Sequence, residues 1–251
     1  MDHNSNSNNY KLCHATHISL QQSWLDIKDQ AVKLADAEPQ LHSLLSDVIL
    51  ERQWLITALA ARLARKLSRE DMGRDELMPL LLEIFTADKN ITASAAADMQ
   101  AIVERDPACQ DMLEPMLFFK GFLAITTYRI SHYLWNQDRK PLALYFQSIS
   151  SEVFGVDIHP GARVGCGILL DHATSIVMGA TAIVEDNVSI LHEVTLGGTG
   201  KQQGDRHPIV RTGVLIGAGA KILGRVEIGE GAKIGAGSVV LENVPPHTTV
   251  A

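Results

Sequence analysis

Apolar positions follow two different rhythms along this chain, and the rhythm changes near Gly155. From about residue 20 to residue 152 they recur three or four apart. In "LLSDVILERQWLITALAARLARKL" the apolar face is Leu45, Val48, Ile49, Leu55, Leu59 and Leu63. Arg52, Arg62, Arg65 and Lys66 populate the other face, the distribution an amphipathic helix requires. Ser68 and Asp71 predict a helix start ahead of "DELMPLLLEIF", with Pro79 near a boundary, and "SAAADMQAIVER" predicts a further helix. In "RDP", Asp106 stands where an N-cap belongs and Pro107 at the first helical position. "EPMLFFKGFLAITTYRISHYLWNQ" and "KPLALYFQSISSEVFG" complete a helical domain over 20–152. Helices this apolar need partners, either one another or other subunits.

Beyond Gly155, Ile158, Val164, Leu170, Ile176, Ala182, Val188 and Val194 are each six residues apart, and the interval returns at Ile216, Ile222, Ile228, Ile234 and Val240. Six is neither the 3.6 of a helix nor the two of a strand. It is the mark of a hexapeptide parallel β-helix, in which three units make a triangular turn of about 18 residues. Gly165, Gly217, Gly229 and Gly235 stand beside the inward residues, where a turning backbone favours the absence of a Cβ. Val194 and Ile216 are 22 apart, so the two runs are out of phase. One regular step leaves 16 residues over, assigned to an inserted loop at 198–213 within "GGTGKQQGDRHPIVRTG". That loop holds Lys201, Asp205, Arg206, His207 and Arg211 and reads as a binding arm. The fold expected is α+β, an all-helical domain followed by a β-helix of hexapeptide repeats over 153–251.

Composition narrows the classes. The 251 residues are 46% hydrophobic but only 5% aromatic, which predicts a core of small and aliphatic side chains. A net charge of −7 argues against a nucleic-acid partner, which needs a basic face. Cys13, Cys109 and Cys166 form no close pair and are expected as reduced thiols in a cytoplasmic protein. No apolar run is long enough to span a bilayer, and "MDHNSNSNNYKLCHATH" is not a secretory signal. Its Asn/Ser bias makes residues 1–19 an expected mobile segment.

Coil geometry then suggests chemistry. With 18 residues per turn, His172 lies over Phe154, and Asp157 comes within its reach on the coil below, about 4.8 Å away. A carboxylate on one imidazole nitrogen fixes the tautomer and leaves the other nitrogen as a general base. The alternative is a polar residue on a solvated corner, and Asp171 has the same alternative. Arg206 is suited to grip a carboxylate bidentately, with His207 as a second donor. Residues 198–233 carry Lys201, Arg206, Arg211, Lys221, Arg225 and Lys233 against Asp205, Glu227 and Glu230, a local basic excess that suits an anionic ligand such as coenzyme A. "GAGAKI" at 217–222 is not a phosphate loop, because no helix follows; it reads as small corners with room for an extended ligand.

"RDPA", "DIHPGARVGCGILLDHAT", "VSILHEVTLGGTGKQQGDRHP", "VLIGAGAKILG" and "GAKIGAGSVVLENVPPHTTVA" together closely resemble the serine O-acetyltransferase family, from about Asp106 to the last residue. The resemblance implies a left-handed β-helix and a homo-hexamer built as a dimer of trimers. It implies acetyl-CoA as co-substrate, bound between neighbours, and no metal. His172 would be the base and Asp157 its orienting partner, with Asp106, Asp171, Arg206 and His207 around L-serine. Gly198, Ala218, Lys221 and Lys233 are the expected contacts to CoA. L-cysteine is implied as a feedback inhibitor competing at the serine site. Ala180 departs from the family's Glu in "GETA". The sequence stops at "PPHTTVA", so binding to O-acetylserine sulfhydrylase is expected only if the family's C-terminal tail follows in the native protein. Three other readings stay open on the repeat alone: a sugar or xenobiotic O-acetyltransferase, a γ-type carbonic anhydrase with zinc on His172, His192 and His207, and a non-catalytic scaffold.

Overall fold

The computed structural model describes residues 17–200 and 204–251, so the expectations for the first 16 residues and for Lys201 lie outside it. Eight α-helices come first among the described residues: α1 (His17–Ala37), α2 (His42–Leu45), α3 (Leu55–Leu67), α4 (Arg74–Ala87), α5 (Lys89–Arg105), α6 (Leu113–Phe118), α7 (Lys120–Asn136) and α8 (Lys140–Phe154). Gly155, left-handed at φ 66°, ends α8 and turns the chain into the second half.

The structure corrects several local expectations. The run expected as one helix from Leu44 to Leu67 is broken by a π-helical stretch, Ser46–Leu50, before α3 starts at Leu55. Arg62 is buried rather than on a solvated face; its guanidinium donates to the carbonyls of Met116 and Leu117 at the end of α6, and burial lowers its pKa to about 10. α4 begins at Arg74, where the Glu76 carboxylate accepts the Gly73 N–H, and Pro79 lies inside it. Asp106 is not an N-cap. It closes α5 and accepts the Ala108 N–H at 2.9 Å, while Asp111 caps α6 through the N–H groups of Leu113 and Glu114. Cys166 is disulfide-bonded, against the expectation of three reduced thiols.

Among the described residues, fourteen short strands then form three parallel sheets. The first contains β1 (Val156–Ile158), β4 (Ile176–Met178), β7 (Thr195–Gly197), β10 (Lys221–Leu223) and β13 (Val239–Val240). The second contains β2 (Arg163–Val164), β5 (Ile183–Val184), β8 (Ile209–Val210) and β11 (Glu227–Ile228). The third contains β3 (Leu169–Leu170), β6 (Ser189–Ile190), β9 (Leu215–Ile216), β12 (Lys233–Ile234) and β14 (Thr249–Val250). The result is a parallel β-solenoid whose coils visit the three sheets in turn. Each unit turns two residues inward, alternate along the strand: Val188 with Ile190, Val194 with Leu196, Val214 with Ile216, Ala220 with Ile222, all fully buried.

Two inward positions per unit explain why the six-residue count miscounted the insertions. In the first coil Ile158, Val164 and Leu170 face Met178, Val184 and Ile190, an offset of 20 rather than 18. Two extra residues therefore sit in the corner Asp171–Ser175, masked because Leu170 and Ile176 occupy different inward positions. After β7 the offset is 26, Leu196 facing Ile222, so the second insertion adds eight residues, not 16. It runs from 198 to 208, and Arg211 belongs to the re-entered solenoid, held by the carboxylates of Glu185 at 2.7 Å and Glu227 at 2.9 Å. The glycines beside the inward rows are needed for close approach rather than for turning: a Cβ on Gly217 would stand 2.7 Å from the backbone nitrogen of Ala236, and one on Gly229 2.4 Å from that of Pro246.

The helices dock on the open end of the solenoid through a buried ion pair. Asp98 of α5 accepts from Arg129 of α7 at 2.5 and 3.2 Å and from the Ile168 N–H at 2.8 Å, while Arg129 also donates to the Gly165 carbonyl at 2.8 Å. Burial raises the Asp98 carboxyl to about 6, against the pull of Arg129 and the backbone N–H groups. Among the described residues no helix is long and apolar enough to cross a membrane.

Candidate active site

Both insertions carry the candidate chemistry. The two-residue insertion forms the corner between β3 and β4, along the edge where the third sheet meets the first. It contains three non-glycine residues in left-handed conformation: His172 (φ 54°), Ala173 (φ 57°) and Ser175 (φ 61°). Ala173 turns inward and is buried, so the His172 ring is thrown outward, with a side chain 78% exposed. Its Nε2 stands 3.8 Å from the Asp171 carboxylate, and its ring meets that of His192, on the next coil of the same edge, edge-on at 6.0 Å. Backbone strain of this kind at non-glycine residues gathers at functional sites.

Asp157 projects from the outer face of β1, flanked by the inward Val156 and Ile158 and one rung from Val177. The 20-residue coil removes the predicted stacking of His172 over Phe154, since Val156 lies opposite Ile176. Within this chain Asp157 accepts a 2.6 Å hydrogen bond from Gln147 of α8, and no hydrogen bond joins it to His172 among the described residues. The two nonetheless occupy the same end of the prism, because the His172 corner leads directly into β4, which pairs with β1.

Arg206 and His207 lie on the other side of the first sheet, on the edge it shares with the second. His207 is buried, its Nδ1 accepting from the Thr181 N–H at 3.2 Å with the Thr181 hydroxyl at 2.8 Å. That hydroxyl also accepts the backbone N–H groups of Arg206 (3.1 Å) and His207 (3.3 Å), leaving its own proton free to point at Nδ1. In the neutral ring Nε2 therefore carries the hydrogen. Burial, with the nearby Arg206, His159 and Arg225, pushes the His207 pKa down. The ring rests against Gly179, where a Cβ would stand 2.0 Å from it. Arg225 ties the loop down, donating to the carbonyls of Thr181 and His207 at 3.0 Å each. Arg206 stays exposed, its stem lying over Gly198.

The remaining candidates divide between the edges. Ala218 sits on the His172 edge, where the Gly219 N–H bonds the His192 carbonyl at 2.9 Å. Lys221, just past that corner, donates to the Glu193 carbonyl, and Lys233 is exposed just before the next corner of the same edge. Asp106 follows Arg105, which grips the solenoid through the Gly167 carbonyl (3.1 Å), Ser189 (3.3 Å) and Asn187 (3.0 Å). Part of the expected basic excess is spent internally, Arg211 on two glutamates and Arg225 on backbone carbonyls. Within this chain His207 lies on the other edge from His172 and His192, and among the described residues no three His, Cys, Asp or Glu side chains are grouped to hold a metal ion. Thr181, Gly179 and Gln147 escaped the sequence reading, which counted Arg225 only toward the basic excess. None has a spacing signal, because each is recruited by neighbours on another coil or helix.

The family described as "Serine acetyltransferase, N-terminal" matches residues 23–127, and the bacterial transferase hexapeptide repeat matches residues 207–242. A serine acetyltransferase of Escherichia coli (strain K12) is 54% identical over 232 residues, covering 92% of this chain and 85% of the relative. Among solved structures, a serine acetyltransferase from Brucella abortus strain S19 in complex with coenzyme A is 48% identical with a TM-score of 0.90, covering 92% of each chain. A serine acetyltransferase in complex with cysteine is 52% identical with a TM-score of 0.91, covering 92% of this chain and 96% of the other.

Proposed function

The chain belongs to the serine acetyltransferase family of acyltransferases, and from that premise we propose that it transfers the acetyl group of acetyl-CoA to the hydroxyl of L-serine with His172 as general base. The observation that carries this reading is the outward-thrown imidazole on a strained, two-residue insertion, beside the Asp171 carboxylate. His172 takes the proton of the serine hydroxyl as its oxygen attacks the thioester carbonyl carbon. When the tetrahedral intermediate collapses and the carbon–sulfur bond breaks, His172 returns that proton to the departing thiolate. A base of this kind contributes about 10² to 10⁴ in rate. Asp157, held at Oδ1 by Gln147, has Oδ2 left to orient the imidazole. Asp171 and Asp106 take the serine ammonium, and Arg206 with the Nε2–H of His207 takes its carboxylate.

His172 and Arg206–His207 stand on opposite edges of one sheet and cannot converge on one small amino acid within a single prism. The site is therefore completed between neighbouring copies, the His172 edge of one facing the Arg206 edge of the next. CoA runs along that seam past Gly198, Ala218, Lys221 and Lys233, and the apolar helices join trimers into a hexamer. L-cysteine, which differs from serine by sulfur for oxygen, competes for the same grip. Following thiol release with serine, with a galactoside and with no acceptor tests the reading. Serine-dependent release, lost by about 10² to 10⁴ in His172→Ala with the oligomer intact, is the expected result. Near-normal turnover in that variant overturns the assigned base, and preference for the galactoside overturns the substrate.

A further inference from the structure

We infer that Lys120 and Gly121, the first two residues of α7, are positioning residues for the base, holding in place the left-handed corner that presents His172. The inference rests on the acyl transfer proposed above and goes beyond it, because that mechanism assigns neither residue a part. Three non-glycine residues at positive φ within five positions form a conformation that a free chain would leave. Something must over-determine it, and the solenoid alone does so only in part. Neighbouring coils supply three bonds, Asp171 N–H to the Ile190 carbonyl at 2.9 Å, Glu193 N–H to the Thr174 carbonyl at 2.7 Å and Ser175 N–H to the Gly155 carbonyl at 2.7 Å, and none of these reaches His172 or Ala173. The bonds from Ala173 N–H to Asp171, Thr174 N–H to His172 and Ile176 N–H to Ala173 are local to the corner.

A further restraint, on the side of His172 and Ala173, comes from the helical half. Lys120 reaches over the corner and donates from Nζ to the Thr174 hydroxyl at 2.5 Å, two residues from His172. Gly121 lets the helix sit directly on the strand that feeds the corner. A Cβ there would stand 2.1 Å from the Leu170 carbonyl oxygen, 3.0 Å from the Leu170 Cβ and 3.1 Å from the Ala173 Cβ. The helix start thus presses on Leu170 and Ala173 from above while Lys120 holds Thr174 from the side. Between those restraints the His172 side chain is left to project. Catalysis by an oriented base is steep in position, a displacement of about 1 Å costing as much as 10²-fold, so a peg at this point acts on turnover.

The test uses the full chain and steady-state thiol release with serine and acetyl-CoA, comparing wild type with Lys120→Ala, Lys120→Arg, Thr174→Val and the double variant Lys120→Ala/Thr174→Val. Lys120→Ala and Thr174→Val are expected each to lower kcat by about 10- to 100-fold with both KM values within about twofold. The double variant should be no worse than either single one, because the two groups form one contact. Lys120→Arg, which retains a donor, should recover most of the loss. Melting temperatures within a few degrees of wild type separate this from a general structural role. The inference is overturned if Lys120→Ala keeps kcat within twofold, if the two losses multiply, or if they fall on KM. Absence of serine-dependent release in the wild-type protein overturns the function itself; normal wild-type release with an unimpaired Lys120→Ala overturns the positioning role alone.

Discussion

Replacing Gly121 by alanine adds a single methyl group where α7 meets the solenoid, and two opposing effects decide the outcome. Alanine is a better helix former than glycine by up to about 1 kcal/mol, less at a helix start where few backbone bonds are yet made. Against this, the new Cβ would lie 2.1 Å from a backbone oxygen in β3. An ordinary contact needs more than an extra 1 Å, and neither side gives easily: Leu170 is bonded into its strand ladder, and α7 is locked by Arg129 to Asp98 and Gly165. Lifting the helix would loosen Phe122, Leu123 and Ile125, all buried, and forced overpacking of a close-packed core costs about 1–3 kcal/mol. The cost exceeds the propensity gain, so Gly121→Ala should be destabilised by about 1–2 kcal/mol net. Denaturant titration at one fixed protein concentration measures this, since association would otherwise shift the midpoint. A variant as stable as wild type, or more so, would show that the helix has room to move and would refute the close-contact argument.

Two further outcomes follow from the other edge and from the buried imidazoles. Gly179→Ala places a Cβ 2.0 Å from the His207 ring and should displace it, raising the KM for serine about tenfold or more while that for acetyl-CoA changes little; an unchanged serine KM would remove His207 from the site. His132, His159 and His207 each have their pKa lowered by burial, and each has a ring nitrogen accepting a hydrogen bond, from Asn136, the Gly161 N–H and the Thr181 N–H respectively. Protonation breaks those bonds in the folded protein but not in the unfolded chain, whose histidines titrate near about 6.5. Their contribution is therefore complete above that pH and lost as pH falls below it. Asp98, raised to about 6, works in the opposite sense, gaining stability as it takes a proton. With three groups against one, the melting temperature should be lower at pH 5.5 than at pH 7.5, and a flat or rising profile would refute the assignment of neutral rings.

Much of this was written in the chain itself. The six-residue recurrence of aliphatic residues determined a solenoid, because stacked coils bury only what repeats, and the three-to-four spacing before Gly155 determined a helical half. "DHAT" and "GDRHP" stood out as polar interruptions of that repeat, and both interruptions are where coils carry extra residues. What the sequence left undecided depends on contacts between coils and between halves. Two inward positions per unit allowed Leu170 and Ile176 to look consecutive, so the insertion that throws His172 outward stayed hidden until strand register exposed it. Arg62 read as surface charge and Arg211 as part of a binding arm, but burial of one and a pair of glutamates around the other make them structural. Asp106 read as a cap of the following helix, whereas Asp111, nearer in space to the free N–H groups, took that role. The peg of Lys120 on Thr174 and the bond of Thr181 to His207 join residues 54 and 26 positions apart. Periodicity reports which side of an element faces inward; which outward groups then meet is decided by docking angle and register, and those exist only once the chain has folded.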